Sequence, residues 1–94
     1  MGDVADRLKS KLDRAFLPLH LEILDDSAKH SGHSGAREGG ESHFSVTIVS
    51  SRFEGLTRVA RQRLVNIALA EELVGPVHAL ALRTLTPAEA EISS

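Results

Sequence analysis

The 94-residue sequence contains no cysteine. This absence excludes a disulfide scaffold, a thiol nucleophile and any thiolate metal site built by this chain alone. Aromatic residues are scarce too, with three phenylalanines and no tryptophan or tyrosine, which disfavours a single-strand nucleic-acid binder built on stacked rings. Neither positive nor negative charge predominates, because 11 basic and 13 acidic residues leave a net charge of −2. The chain therefore lacks the polybasic character of non-specific nucleic-acid binders.

Long hydrophobic runs are absent as well, so no segment is predicted to span a membrane. The N-terminal stretch has neither the apolar core of a secretory signal nor the acid-free composition of a transit peptide. Apolar residues still make up 41% of the chain, which is enough for a core. A chain of this length forms one compact domain, so we expect a single domain over residues 1–94. We also expect a cytoplasmic protein that does not associate with membranes.

Apolar spacing divides the chain into helices and strands. An apolar stripe with a period of four predicts a helix over residues 3–16: Val4, Leu8, Leu12 and Phe16. Alternation of apolar and polar side chains predicts strands over 19–23, 43–49 and 77–85. In the first of these strands, Leu19, Leu21 and Ile23 should share the buried face, and His20 should face solvent.

Residues 57–73 contain no glycine or proline and predict a second helix lying on the sheet. Glu71 and Glu72 near its C-terminus oppose the helix dipole, which indicates a break there. The order is α-β-β-α-β with an extra helical turn before the last strand. We therefore expect a mixed α/β (α+β) fold, with the helices on one face of a three-stranded sheet. The first two strands should pair as a wide hairpin around a glycine-rich loop over residues 26–42.

Five histidines are present, and four of them lie in this loop or where a strand begins. His30 and His33 are separated by only two residues in the loop, and His43 lies where the loop enters the second strand. Imidazole is a frequent ligand of zinc, copper and iron. No nearby Asp or Cys completes a zinc motif, however, and the spacing alone favours a solvated polar loop. His78 opens the last strand on the side of Leu80, where a half-buried, hydrogen-bonded structural histidine is the ordinary interpretation.

A second group of polar residues lies on the predicted second helix. Arg58, Arg61 and Arg63 fall within six residues and could contact phosphates without the whole chain being basic. A solvated helix face paired with nearby acids is the favoured interpretation of these residues. The nucleotide-binding, hydrolase and metalloprotease motifs GxGxxG, P-loop, GxSxG and HExxH are absent. We therefore expect a binding protein and not an enzyme.

Several motifs resemble those of BolA-like proteins, in order and at matching spacing over nearly the whole chain. They are Leu21-Glu22-Ile23, Asp25-Asp26-Ser27, His30, Gly40-Glu41-Ser42-His43-Phe44, Ile48-Val49-Ser50-Ser51-Arg52-Phe53-Glu54-Gly55, Arg61-Gln62-Arg63-Leu64-Val65-Asn66, Ala70-Glu71-Glu72-Leu73 and Val77-His78-Ala79-Leu80. One departure is Gln62, where the family usually has histidine between the two arginines. Glutamine keeps a donor and an acceptor but cannot titrate or act as an imidazole ligand.

The resemblance implies a fold similar to class II KH domains. It also implies a protein that pairs with a monothiol glutaredoxin and shares a bridging [2Fe–2S] cluster, in iron homeostasis or cluster trafficking. The family's ligands are the histidine of the last-strand motif, which corresponds to His78, and a His or Cys in the long loop. The loop ligand corresponds to His30 by its distance from Asp-Asp-Ser, with His33 as the competing choice. The sulfur ligands would come from the glutaredoxin cysteine and glutathione.

The resemblance also implies an alternative, because some members are described as transcriptional regulators. Their helix-turn-helix-like region corresponds to residues 53–65 and would place Arg61 and Arg63 toward phosphate. In that case DNA would be a partner, with Arg58 as a further contact. Whether the free protein forms a homodimer stays open at this stage.

Overall fold

The computed structural model describes residues 3–25 and 43–91. Its elements follow the predicted order: α1 (Asp3–Phe16), β1 (His20–Asp25), β2 (His43–Val49), a short 3-10 helix (Ser51–Phe53), α2 (Arg58–Ala68), α3 (Ala70–Val74) and β3 (Ala79–Leu85). In this part of the chain, no helix combines the length and the apolar composition that a bilayer crossing requires.

The three strands form one sheet in the order β1-β2-β3. β1 and β2 pair antiparallel with Leu21 opposite Ile48, which confirms the predicted hairpin. β2 and β3 pair parallel with Phe44 opposite Leu80. A parallel pair cannot be joined by a tight turn, and here α2 and α3 make the crossover. Among the described residues, β2 is the one strand of the sheet that pairs with β3, so β3 is an edge strand.

The core lies between one face of the sheet and the helices. The predicted α1 stripe is buried as expected, and alternate β2 residues meet it from the sheet: Phe44, Val46 and Ile48. The prediction for Leu19 is wrong, because this side chain is 63% exposed. Leu19 precedes β1 and donates its N–H to the Val49 oxygen at 2.8 Å, so its backbone joins the sheet while its side chain stays outside the core.

The second predicted helix is broken, as the two glutamates indicate. α2 ends at Ala68 and α3 begins at Ala70, with Leu69 between them at φ −107° and ψ 20°. The break places Glu71 and Glu72 in the first turn of α3. There the carboxylates meet the positive end of a helix dipole instead of the negative end, so the unfavourable charge placement of one long helix is removed.

Glu72 joins α3 to α1 from a fully buried position. Its carboxylate accepts hydrogen bonds from Arg7 Nη2 at 3.1 Å and Lys11 Nζ at 2.9 Å, while the side chain is 0% exposed. Burial acts to raise the pKa of Glu72, but the bonds from Lys11, from the backbone and from Arg7 outweigh it and hold the pKa below 4.5. The carboxylate is therefore ionised and paired at neutral pH.

Arg61 joins α2 to β3 and to the turn that follows it. Its guanidinium donates to the Leu56 oxygen at 3.0 Å and the Thr84 oxygen at 3.1 Å, and it pairs with the Glu89 carboxylate at 2.6 Å. Hydrogen bonds from Arg61 and from the Thr86 N–H lower the pKa of Glu89 to about 2. The residue that the sequence presents as a surface arginine is thus 6% exposed and holds the edge strand against the crossover helix.

We predict that Glu72→Gln lowers the free energy of unfolding by about 1–3 kcal/mol, because a buried charged hydrogen-bond acceptor is lost while Arg7 and Lys11 remain. Urea denaturation at pH 7 measures this change. Glu71→Gln is the matched control, since Glu71 also pairs with Lys11 but its side chain is 82% exposed and exposed ion pairs contribute little. Equal losses in both variants would contradict the role given to burial.

We also predict an acid-dependent effect of Glu89→Gln. Because the folded-state pKa lies below the unfolded-state value, the Arg61–Glu89 pair stabilises the fold above about pH 4.5 and loses that effect as the pH falls toward about 2. Urea denaturation of both proteins across this range should show a stability gap at pH 7 that closes in acid. Glu54→Gln, at an exposed position without an ion pair to the described residues, should show no such gap.

Candidate functional site

Two histidines lie side by side at the end of the sheet where β2 and β3 begin. The parallel register places His43 opposite Ala79, and His78 is the residue immediately before Ala79. Their imidazole rings are nearly parallel, at 13°, with centroids 6.5 Å apart. Two residues that are 35 positions apart in the sequence are therefore neighbours, and both carry nitrogen donors suited to iron, zinc or copper.

The turn before His78 explains its position. Gly75 and Pro76 end α3, and the Val77 N–H donates to the backbone carbonyl oxygen of Glu72 at 3.0 Å. The Val77 side chain is 2% exposed, so the residue preceding His78 is anchored to the core. The buried Glu72 thereby helps to set where the last strand begins.

His78 itself is exposed, and the expectation of a half-buried histidine on the side of Leu80 is wrong. β3 begins at Ala79 and not at Val77, so the strand alternation does not extend back to position 78. The imidazole is consequently accessible to a second molecule. His43 is half-buried at the first position of β2 and forms the more sheltered side of the pair.

Asp25 and His43, the described residues that flank the predicted glycine-rich loop, lie at the same end of the sheet. Asp25, the last residue of β1, pairs with Phe44, so the chain leaves β1 and returns into β2 next to His43. The predicted loop ligands His30 and His33 lie outside the described residues. Within residues 3–25 and 43–91, no three His, Asp or Glu side chains are grouped closely enough to hold a metal ion by themselves. A metal ion held by His43 and His78 would therefore need further ligands from outside these residues.

The sequence places His43 at the start of the second predicted strand but does not mark it as a ligand candidate. Nothing in the local sequence shows that β2 and β3 run parallel, and only that pairing makes His43 a neighbour of His78. Its position at the first residue of a predicted strand, matched by His78 at the start of another, was the available signal.

The arginines of α2 do not form one surface. Arg61 is buried against Thr84 and Glu89, which corrects the expectation that its side chain faces phosphate: the strand edge and the carboxylate occupy its guanidinium. Arg58 and Arg63 are exposed, and so is Gln62 between them. At most two of the three arginines predicted to bind nucleic acid are thus presented to solvent.

Comparison with known proteins places this geometry among relatives. The family model described as BolA-like protein matches residues 12–89. BolA-like protein 1 of Homo sapiens is 48% identical over 89 residues, covering 95% of this chain and 62% of the human protein, so the chain spans less than two thirds of that relative. The DNA-binding transcriptional regulator BolA of Escherichia coli (strain K12) is 44% identical over 88 residues, covering 94% of this chain and 80% of that protein.

Solved structures agree with the sequence comparison. The BolA domain of SufE1 from Arabidopsis thaliana superposes with a TM-score of 0.82 at 38% identity, covering 95% of this chain and 98% of that one. The family match covers most of the chain and the fold likeness extends over nearly all of it. This chain belongs to the BolA-like protein family.

Proposed function

We propose that this chain is a non-enzymatic partner of a monothiol glutaredoxin and shares with it a bridging [2Fe–2S] cluster, in iron homeostasis or cluster trafficking. The observation that supports the proposal is the exposed His78 beside His43, with ring centroids 6.5 Å apart at one end of the sheet. An accessible imidazole at an edge of the molecule suits a ligand that two proteins share.

The ligands that this chain can offer fit a cluster shared by two proteins better than a cluster held by this chain alone. A [2Fe–2S] cluster is ordinarily held by four protein ligands, and this chain has no cysteine to offer. Its contribution is limited to nitrogen, so the sulfur ligands would be the glutaredoxin cysteine and glutathione. Histidine ligation at one iron, as in Rieske centres, raises the reduction potential relative to cysteine ligation.

His78 is the ligand that we assign to the strand. The second ligand is His30 or His33, because both ends of the loop that carries them lie at the same end of the sheet as His78. His43 is a further candidate, since it is held on β2 directly beside His78. A loop ligand could release readily, which suits transfer better than storage.

We predict that His78→Ala abolishes the change in visible absorption and circular dichroism that follows anaerobic mixing with cluster-loaded monothiol glutaredoxin. His30→Ala and His33→Ala, tested separately, should distinguish the loop candidates, and His43→Ala should show whether its imidazole also contributes. His20→Ala is the matched control, because His20 pairs with Val49 at the opposite end of the sheet and is exposed.

An unchanged spectrum for His78→Ala would reject the ligand assignment. Iron and sulfide analysis of the purified complex provides the second criterion. A stable complex without iron or sulfide would mean that the chain binds glutaredoxin as an interaction module and shares no cluster.

Nucleic-acid binding is the second candidate function. It is supported by the relatives named DNA-binding transcriptional regulator BolA, at 44% and 45% identity. In this chain Arg58 and Arg63 remain exposed near the N-terminal half of α2, whereas Arg61 is committed to Glu89. The net charge of −2 places this function second, because attraction to phosphates would depend on a local patch.

If the chain binds duplex DNA, we predict that the double variant Arg58→Gln/Arg63→Gln weakens it and reduces the slope of log K against log salt by about 0.9 per lost phosphate contact. Fluorescence anisotropy over a salt series measures both quantities. Arg14→Gln, an exposed arginine on α1, serves as the control for net charge alone. Equal effects of the control and the double variant would eliminate a specific α2 surface.

A further inference from the structure

A polar cleft lies between α2 and the edge strand β3, away from the histidine pair. Its volume is about 190 Å³, and Arg58, Gln62 and Arg83 lie on its walls together with the neighbouring strand residues Leu82, Thr84 and Leu85. A water molecule occupies about 30 Å³ of liquid, so the cleft holds several waters or one small polar group.

The charges in this cleft are not neutralised by the fold. Among the described residues, neither Arg58 nor Arg83 makes an ion pair, and the Gln62 amide makes no hydrogen bond. The adjacent Arg61 differs, because Glu89 neutralises it at 2.6 Å. Arg58, Gln62 and Arg83 therefore line one cleft with side-chain donors that no described residue engages.

The start of α2 adds to this positive potential. Its first turn contains no acidic residue, although helices favour carboxylates at that end. Thr57 caps one N–H by accepting from the Ala60 nitrogen at 3.1 Å, and the cap is neutral. No described residue thus supplies a negative charge to pair with Arg58 or Arg83.

We propose that the cleft formed by Arg58, Gln62 and Arg83 binds a phosphate group. Guanidinium presents planar paired donors that match the oxygens of phosphate bidentately, and an amide N–H₂ adds a neutral donor. Gln62 cannot titrate, so the donor that it contributes is independent of pH. No Asp or Glu of the described residues lines the cleft, so no carboxylate among them repels the phosphate there.

The cleft is separate from the histidine end of the sheet. Arg83 lies four residues along β3 from Ala79, which is about 13 Å at the usual rise of a strand. A phosphate bound there does not contact His43 or His78, so the site is independent of the proposed cluster sharing. It shares Arg58 with the nucleic-acid surface considered above, and the two arms of the test below distinguish a free phosphate from a nucleic-acid backbone.

The test is a titration of the full chain followed by two-dimensional ¹H–¹⁵N NMR, including the arginine Nε–Hε signals, in phosphate-free buffer at constant ionic strength. One arm uses inorganic phosphate and the other a short oligothymidine, which carries the same group as a phosphodiester. We expect saturable shifts at Arg58, Gln62 and Arg83 in at least one arm. Saturation by inorganic phosphate alone indicates a free phosphate ligand, and tighter saturation by the oligonucleotide indicates a nucleic-acid backbone.

Arg58→Gln and Arg83→Gln should each weaken the interaction about tenfold, the usual effect of losing a charged hydrogen bond. Arg14→Gln is the control, since Arg14 is an exposed arginine on α1 and is not part of the cleft. Unchanged signals outside the cleft show that each variant is folded. Shifts that do not saturate in either arm, or an Arg14→Gln variant that loses as much affinity as Arg83→Gln, would overturn the proposal.

Discussion

The parallel pairing of β2 with β3 is the constraint on which the rest of this structure depends. A parallel partner must be reached by a crossover, and α2 with α3 forms it here. At one end of the pair the register places His43 next to His78. Toward the other end it places Arg83 and Thr84 against α2, where Arg58 and Gln62 complete a cleft. Both candidate sites are therefore products of the same strand pairing.

Two buried charges hold this crossover in place. Glu72 connects α3 to Arg7 and Lys11 of α1, and its own carbonyl oxygen receives the Val77 N–H just before His78. Arg61 connects α2 to the Thr84 carbonyl of the edge strand. Buried ion pairs add little net stability compared with apolar packing, but removing one partner is costly. Here Glu72 links α3 to α1, and Arg61 links α2 to β3.

Much of the fold was predictable from local pattern. The α1 stripe from Val4 to Phe16, the β1–β2 hairpin and the helix break near Glu71 follow from apolar spacing and charge placement, and the structure confirms each of them. The predictions for Leu19 and for the burial of His78 are wrong for one shared reason. Both residues lie just outside a strand, and alternation does not show where backbone pairing begins.

The sequence by itself determined the order of the elements, the composition of the core and the absence of thiolate ligands, because these depend on local periodicity and on residue type. Only the tertiary structure decided which polar residues act together. Arg58, Arg61 and Arg63 are equivalent in the sequence, yet Arg61 is buried against Glu89 while Arg58 and Arg83 line one cleft. His43 lies beside His78 because β2 pairs with β3 in one register. Contacts between distant strands follow from this register, which the local sequence does not contain.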